Sequence, residues 1–248
     1  MSSAIKVEIV YFPVVAKAEV TRALLTLGGI EFTEDMVHMK DWMSVKDTLP
    51  FAQLPMIRVK DAASGELLAE LTESSAIERF LAARTGHNGD NEFEDARIQA
   101  IRIQFEAAFQ AIITYYWAPD DQREKAAADV RKELAHLFKY HERILAKNGS
   151  NGHYVGEKLT FLDLFAVNLY LFAKREGFAA EVNEEAAPLF NKVVETTMAE
   201  PKLVEFYADV QTRHEVQKAA DFPAKVRAAV AARMKAAAAA GTSAEKAN

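Results

Sequence analysis

At 248 residues, half of them apolar and about a quarter charged, the chain is long enough for one large globular unit or two modest ones with well-filled cores. It contains no cysteine, which excludes disulfides, thiolate metal sites and a cysteine nucleophile, and its net charge of −6 argues against general nucleic-acid binding. The opening MSSAIKVEIVYF lacks the apolar run of a secretory signal, and no stretch approaches the roughly 20 apolar residues of a membrane span, so a cytoplasmic protein without a membrane partner is expected.

Ile5 to Phe12 is β-branched and aromatic, which predicts a first strand. Ala18 to Leu27 places Val20, Ala23, Leu24 and Leu27 on one helical face, and Gly28-Gly29 stops it. Ile30 to Val37 reads as a second strand in spite of its three acidic residues. Strand, helix, strand is a βαβ unit, whose right-handed crossover makes the two strands parallel. Asp41 to Thr48 is short and irregular or helical. Met56-Ile57-Arg58-Val59 reads as a strand, Asp61 to Gly65 as a turn, and Glu66 to Leu71 as the antiparallel return. Leu54-Pro55 stands at the strand entrance, where a proline removes no central ladder bond and a cis peptide is tolerable. Thr72 to Ser75 precedes the helical set Ala76, Ile77, Phe80, Leu81; its hydroxyls suit either a helix cap or, with the free N–H groups, an anion.

The polar run Arg84 to Asn91 suits a linker, placed at 84–93, and the chain beyond it reads as helix. Phe93 to Trp117 carries Ile98, Ile101, Phe105, Ala108, Phe109, Ile112 and Ile113 at three- and four-residue steps. Gln122 to Ala146 turns Val130, Leu134, Leu137, Phe138 and Leu145 inward. After a break at Lys147 to Gly152, Thr160-Phe161-Leu162-Asp163 reads as a capping box with aspartate in the glutamate position, assigned to folding. Further helices are expected over Pro188 to Met198 and Lys202 to Gln217. In the last segment, 222–248, Lys225, Arg227, Arg233, Lys235 and Lys246 against Glu245 give a net +4. Its alanine-rich face buries little, which predicts a partly helical, fraying end, with a lid over the active site as the alternative. His38, His87, His136, His141, His153 and His214 have no ligand-like spacing, so no metal is expected.

Two motifs carry a resemblance. Val10-Tyr11-Phe12-x-x-x-x-Lys17-Ala18-Glu19-x-x-Arg22 is similar to the N-terminal pattern of the tyrosine-type glutathione S-transferases. Gln53-Leu54-Pro55, a hairpin, then Glu73-Ser74-x-Ala76-Ile77-x-x-Phe80-Leu81 resembles the family's glutathione-binding half. Asp41-Trp42-x-x-x-Lys46-x-Thr48-Leu49-Pro50-Phe51 is similar to the sigma class, prostaglandin D synthase included. The resemblance implies a thioredoxin-like α/β domain over 1–83 followed by an all-α domain over 94–221. It implies glutathione as substrate or cofactor, a small hydrophobic electrophile, and a homodimer in which Phe51 is either an aromatic key inserted into the partner or packed locally.

On the same ground Tyr11 is the expected catalytic residue, its hydroxyl favouring the thiolate by hydrogen bonding. A buried tyrosine finishing a strand is the alternative for that residue. Trp42 and Lys46 are expected at the glycyl carboxylate, and the Leu54 backbone at the cysteinyl part, between Gln53 and Pro55. Ser74 would take the γ-glutamyl carboxylate and Glu73 its ammonium. Lys17 stands where many members have arginine, and Gln99 roughly where an aspartate often reaches the partner's γ-glutamyl group. Phe12, Phe109, Tyr115 and Tyr116 are expected to form the second-substrate pocket, with ordinary interhelical core as the alternative for Phe109, Tyr115 and Tyr116. The implied activity is conjugation, with a glutathione-dependent isomerase or peroxidase, or a non-catalytic binder, as alternatives.

Overall fold

The computed structural model describes residues 4–210. Its N-terminal part runs β1 (Ile5–Tyr11), α1 (Glu19–Gly28), β2 (Phe32–Met36), α2 (Trp42–Val45), a 3-10 turn at Lys46–Thr48, β3 (Met56–Asp61), β4 (Leu67–Thr72) and α3 (Ser74–Thr85). The sheet order is β2-β1-β3-β4, with β1 parallel to β2 and antiparallel to β3, and β3 antiparallel to β4. This is the thioredoxin-like arrangement expected. The parallel pair sets Val7 opposite Phe32 and Tyr11 opposite Met36.

β1 is the centre because both its faces can be buried. Ile5, Val7, Ile9 and Tyr11 point to the side covered by α1 and α3, joining Ala23, Leu24, Leu27, Ile77 and Leu81. Val10 points the other way, into a small cluster with Val37, Leu49 and Met56 that Trp42 and Val45 cover. The rest of that second face is charged. Arg58 meets Glu8 at 3.0 Å, Asp35 at 3.1 Å and Glu70 at 3.3 Å. The acidic residues of β2 are explained by this alternation, since Asp35 goes to Arg58 on one face while Glu34 goes to Arg22 of α1 at 2.9 Å on the other. Arg22 itself is 3% exposed and also bonds Glu19 at 2.9 Å. α1 ends where Gly29 takes a left-handed conformation and its N–H returns to Leu25 and Thr26.

The helical part comprises α4 (Glu92–Trp117), a 3-10 turn at Asp120–Gln122, α5 (Arg123–Lys147), α6 (Phe161–Arg175), a 3-10 turn at Ala180–Val182, and α7 (Pro188–Met198); residues 204–210 are also helical. Asn91 caps α4 by accepting the N–H groups of Phe93 and Glu94, both at 3.1 Å, so the polar run between α3 and α4 supplies its own helix start. Phe105, Phe109, Phe165 and Phe172 stack along the bundle interior at centroid distances of 5.1–5.3 Å. The remainder of the helix expected to run to Gln217, and the segment 222–248 with its fraying end or lid, lie outside the described residues.

Two buried polar contacts join the parts. Asn168 of α6 donates to the Ala16 carbonyl at 3.0 Å, and Arg102 of α4 grips Glu78 of α3 through Nε at 2.7 Å and Nη2 at 3.3 Å. The capping box forms as expected. The fully buried Asp163 accepts the Thr160 N–H at 2.8 Å, the Thr160 hydroxyl at 3.1 Å and the Tyr154 N–H at 2.9 Å. Asp163→Ala leaves those three donors unpaired and is expected to cost roughly 2–4 kcal/mol. A urea midpoint shift worth less than about 1 kcal/mol at unchanged m-value would contradict this account.

His141 on α5 is 2% exposed, edge-on to Phe105 at 4.7 Å, with Nδ1 3.0 Å from the Tyr154 hydroxyl. Burial pushes its imidazole down to about 4. The folded value lies below the unfolded one, so its contribution to stability is complete above the unfolded value near 6.5. It is lost as pH falls from there toward 4, to the extent of about 3 kcal/mol. In urea titrations from pH 7 to 4.5, His141→Gln should lose less stability than the wild type. Equal acid losses in the two proteins would show that His141 does not titrate this way.

Candidate active site

Tyr11 ends β1 on the face covered by α1, and the loop that follows folds back over it. The backbone N–H of Lys17 donates to the Tyr11 hydroxyl oxygen at 3.2 Å, and the ring packs beside Phe12 at 5.7 Å. At 6% exposure the phenol is buried, and burial raises its pKa to about 12 although the Lys17 amide pulls the other way. The hydroxyl is therefore protonated at neutral pH. Because its oxygen already accepts from Lys17, its own proton is available for another acceptor.

A cavity of about 280 Å³ is walled by Lys17, whose amide bonds this hydroxyl, and by Gln53, Leu54, Pro55, Glu73, Ser74, Gln110 and Ile113; Tyr11 itself is not in the wall. Six expected site residues thus converge from three separate stretches of chain. The Leu54–Pro55 peptide is cis, which carries the chain from the loop into β3. At the far side, Glu73 has φ of 65°, an uncommon value for a residue with a side chain. This bend ends β4 and starts α3 within one residue. No side chain caps α3, and Ser74, its first residue, is 7% exposed. The hydroxyls of Thr72 to Ser75 therefore do not serve as an ordinary cap, and the first turn keeps N–H groups and a favourable dipole for an anion.

Trp42 and Lys46 lie one turn apart, on α2 and the 3-10 turn after it, both half-buried and neither in the wall of this cavity. Trp42 packs edge-to-face on Phe12 at 5.1 Å and helps cover the small Val10 cluster. Lys46 makes no ion pair among the described residues. Gln99 lies on α4, half-buried and outside the walls of this cavity.

One aromatic expectation, Phe109, needs correction. Phe109 is fully buried between Phe165 and Phe172, in the bundle core and not at an open pocket. Tyr115 is occupied by Phe178 at 4.9 Å and by the Arg123 guanidinium at 4.4 Å. Tyr116 stacks edge-on with Trp117 at 4.8 Å. Tyr116 also lies 5.7 Å from the Arg175 guanidinium, and Phe12 packs against Tyr11 and Trp42. The α4 residues that do face the cavity are Gln110, missed because apolar periodicity marks the core side of a helix, and Ile113, which that periodicity counted into the core row. Their signal was the adjacent stripe: Arg102, Glu106, Gln110 and Ile113 recur at helical steps beside the core row.

The upper part of that stripe carries charge. Lys17 Nζ bonds Glu106 at 2.5 Å, Glu106 bonds Arg102 at 3.1 Å, and Arg102 holds Glu78. Burial raises the Glu78 carboxyl, with Arg102 opposing. For Glu106 burial also pulls upward, but the hydrogen bonds and charges of Lys17 and Arg102 outweigh it and hold the carboxyl below its ordinary value. Among the described residues no three histidine, aspartate or glutamate side chains gather as a metal-binding group.

Residues 107–210 match the family model described as "Glutathione S-transferase, C-terminal domain". A probable glutathione S-transferase 6 of Caenorhabditis elegans is 32% identical over 162 residues, covering 63% of this chain and 75% of the relative. Glutathione S-transferase P 1 of Xenopus laevis is 31% identical over 206 residues, covering 79% of this chain and 89% of the relative. In three dimensions the chain is similar to the sigma-class transferase of Fasciola hepatica, with a TM-score of 0.73, 23% identity, and coverage of 84% of this chain and 97% of that one.

Proposed function

Because this chain belongs to the glutathione S-transferase family, we propose that Tyr11 holds glutathione as its thiolate for attack on a small hydrophobic electrophile. The observation that carries this reading is the Tyr11 hydroxyl itself. It is buried, protonated, and bonded on its acceptor side by Lys17, which leaves its proton to donate to sulfur. A hydrogen bond to the charged form lowers a thiol from its usual value near 8.5. The thiol proton passes to solvent, the sulfur forms a bond to the electrophilic carbon, and the leaving group departs with the electron pair.

The tripeptide's charges fit the walls. Ser74 and the N–H groups of the first turn of α3 take the γ-glutamyl carboxylate, and Glu73 takes its ammonium. The Leu54 backbone pairs with the cysteinyl unit as a short added strand. Trp42 and Lys46 supply an indole N–H and an ammonium to the glycyl carboxylate, and Gln53 completes the wall. The electrophile rests toward Phe12, Gln110 and Ile113. No described helix is long and apolar enough to cross a membrane, and the place of action in this reading is the cytoplasm.

A homodimer belongs to the same proposal. Phe51 stands 62% exposed on its loop, and Phe93 and Ile103 of α4 are 71% and 67% exposed. Between α4, α5 and the loop after α5 lies a second cavity, of about 460 Å³, with Ile101, Ile144, Tyr154 and Val155 in its wall. Phe51 of one copy would seat in this cavity of the other, removing apolar surface from water. Sedimentation should give a species of twice 27.5 kDa, shifted toward the monomer by Phe51→Ser. A wild type that sediments only as the monomer at micromolar concentration would refute the dimer.

Tyr11→Phe keeps the ring volume and removes one hydroxyl, so the protein should fold and still bind glutathione. Losing one hydrogen bond to a charged sulfur is worth roughly 1.5–3 kcal/mol, or about ten- to a hundredfold in the conjugation rate with a chromogenic aryl halide at neutral pH. The deficit should narrow as pH rises toward the free thiol's own titration. Equal rates and equal thiolate titrations in both proteins would make Tyr11 a structural strand residue.

A further inference from the structure

The charged groups on the elements around Tyr11 and the cavity come from several parts of the fold, and Arg22, Arg175, Arg102 and Lys17 among them are paired. Arg22 of α1 is shared by Glu19 and Glu34, Arg175 of α6 bonds Glu176 at 2.7 Å, and Arg102 of α4 is clasped by Glu78 of α3. Glu73, between β4 and α3, is exposed. The cation in the cavity wall is Lys17, in the loop between β1 and α1, and its ammonium is bonded to Glu106. The Lys17 side chain is 26% exposed and that of Glu106 is 42%, whereas those of Arg102 and Glu78 are 4% and 1%. The chain of alternating charge therefore starts deep between the two domains and ends at the open site.

We propose that Glu106 is a positioning residue that restrains Lys17, and thereby sets the pH at which the glutathione thiol ionises in this protein. The inference rests on the reading of Tyr11 and glutathione given above. Two tethers define Glu106. Its Oε2 is held by Arg102, which cannot move because both its remaining nitrogens are committed to Glu78, and its Oε1 takes the Lys17 ammonium. The Lys17 backbone meanwhile holds the Tyr11 oxygen. One residue thus presents a donor to the tyrosine through its amide and a cation to the cavity through its side chain. Glu106 decides how much of that cation's field reaches the sulfur. Paired, the two charges largely cancel at the site, and Tyr11 carries the thiolate with limited electrostatic help. Without the carboxylate, the ammonium is free to turn toward the developing negative charge, which it stabilises at close range.

The sign of the effect is opposite for the two members of the pair. Glu106→Gln keeps the side chain's shape and leaves Arg102 in its grip on Glu78, so the interdomain contact persists. It should lower the apparent thiol pKa of bound glutathione, by about half a unit to one unit given the partial exposure of the pair. Lys17→Met leaves Glu106 facing the site alone and should raise it by a similar amount. If Glu106 acts through Lys17, adding Glu106→Gln to Lys17→Met should produce less than half the shift that it produces in the wild type.

The experiment is an ultraviolet titration of the thiolate band of bound glutathione in the wild type, both single variants and the double variant, with kcat/KM against pH as a second readout. Opposite shifts, with the coupled double variant, support the inference. Thermal midpoints measured alongside identify a purely structural role, which would lower stability and leave the pH profiles superimposed, and that outcome overturns it. Should Glu106→Gln titrate poorly, the upward shift in Lys17→Met decides alone: no shift there refutes the role of the pair. A wild type that binds glutathione with no thiolate band below the free thiol's titration overturns the transferase reading and this inference with it. A normal wild-type band with unmoved variants overturns the inference alone.

Discussion

The geometry of the site depends on the ion pair between Arg102 and Glu78. A guanidinium and a carboxylate exposed by only 4% and 1% are costly to bury, and an unpartnered one costs about 3–5 kcal/mol. The pair is bidentate, so it fixes both the distance and the rotation of α4 relative to α3. That rotation turns Phe105, Phe109 and Ile112 into the bundle and turns Glu106, Gln110 and Ile113 toward the N-terminal domain. The Arg102 guanidinium also lies 3.7 Å over the Phe165 ring, so the same cation is packed against the helical core. The close packing of α4 against α5 and α6 holds the helix together with this pair.

Against that fixed helix the α/β domain contributes its own constraint, the two-residue pleat of β1. Successive side chains leave opposite faces, so Val10 closes the small cluster under Trp42 while Tyr11 enters the main core with its hydroxyl near the strand's end. The loop back to α1 then brings the Lys17 amide over that hydroxyl. The tyrosine is buried by neighbours that the core needs anyway, and burial keeps it protonated. Folding and chemistry use the same contacts here, and the donor is held in place by packing before any substrate arrives.

The cavity walls come from places where the backbone departs from regular structure. Leu54, Pro55, Glu73 with its positive φ and Ser74 at the uncapped start of α3 all belong to its wall. Irregular backbone exposes N–H and carbonyl groups that a strand or helix would consume, and such groups recognise a peptide with two carboxylates and an ammonium.

Much of this was legible in the amino-acid sequence. The order of strands and helices followed from periodicity, the αL stop of α1 from Gly28-Gly29, and the buried cap of α6 from Thr160 and Asp163. The family's motifs pointed to Tyr11, Lys17, Gln53, Leu54, Pro55, Glu73 and Ser74, and the fold gathers the last six around one cavity, with the Tyr11 hydroxyl bonded to the Lys17 amide. These features are local, set by a few neighbouring residues. What the sequence alone could not determine was which side of α4 meets the site. Phe109 and Gln110 are adjacent in the chain, and periodicity says only that one is more apolar. Tertiary structure decided that Phe109 belongs to the core and Gln110 to the cavity, and that Glu106 reaches a lysine 89 residues away. The reason is physical: the rotation of a helix is fixed by its partners on every side, and for α4 these are α5, α6 and a carboxylate of α3.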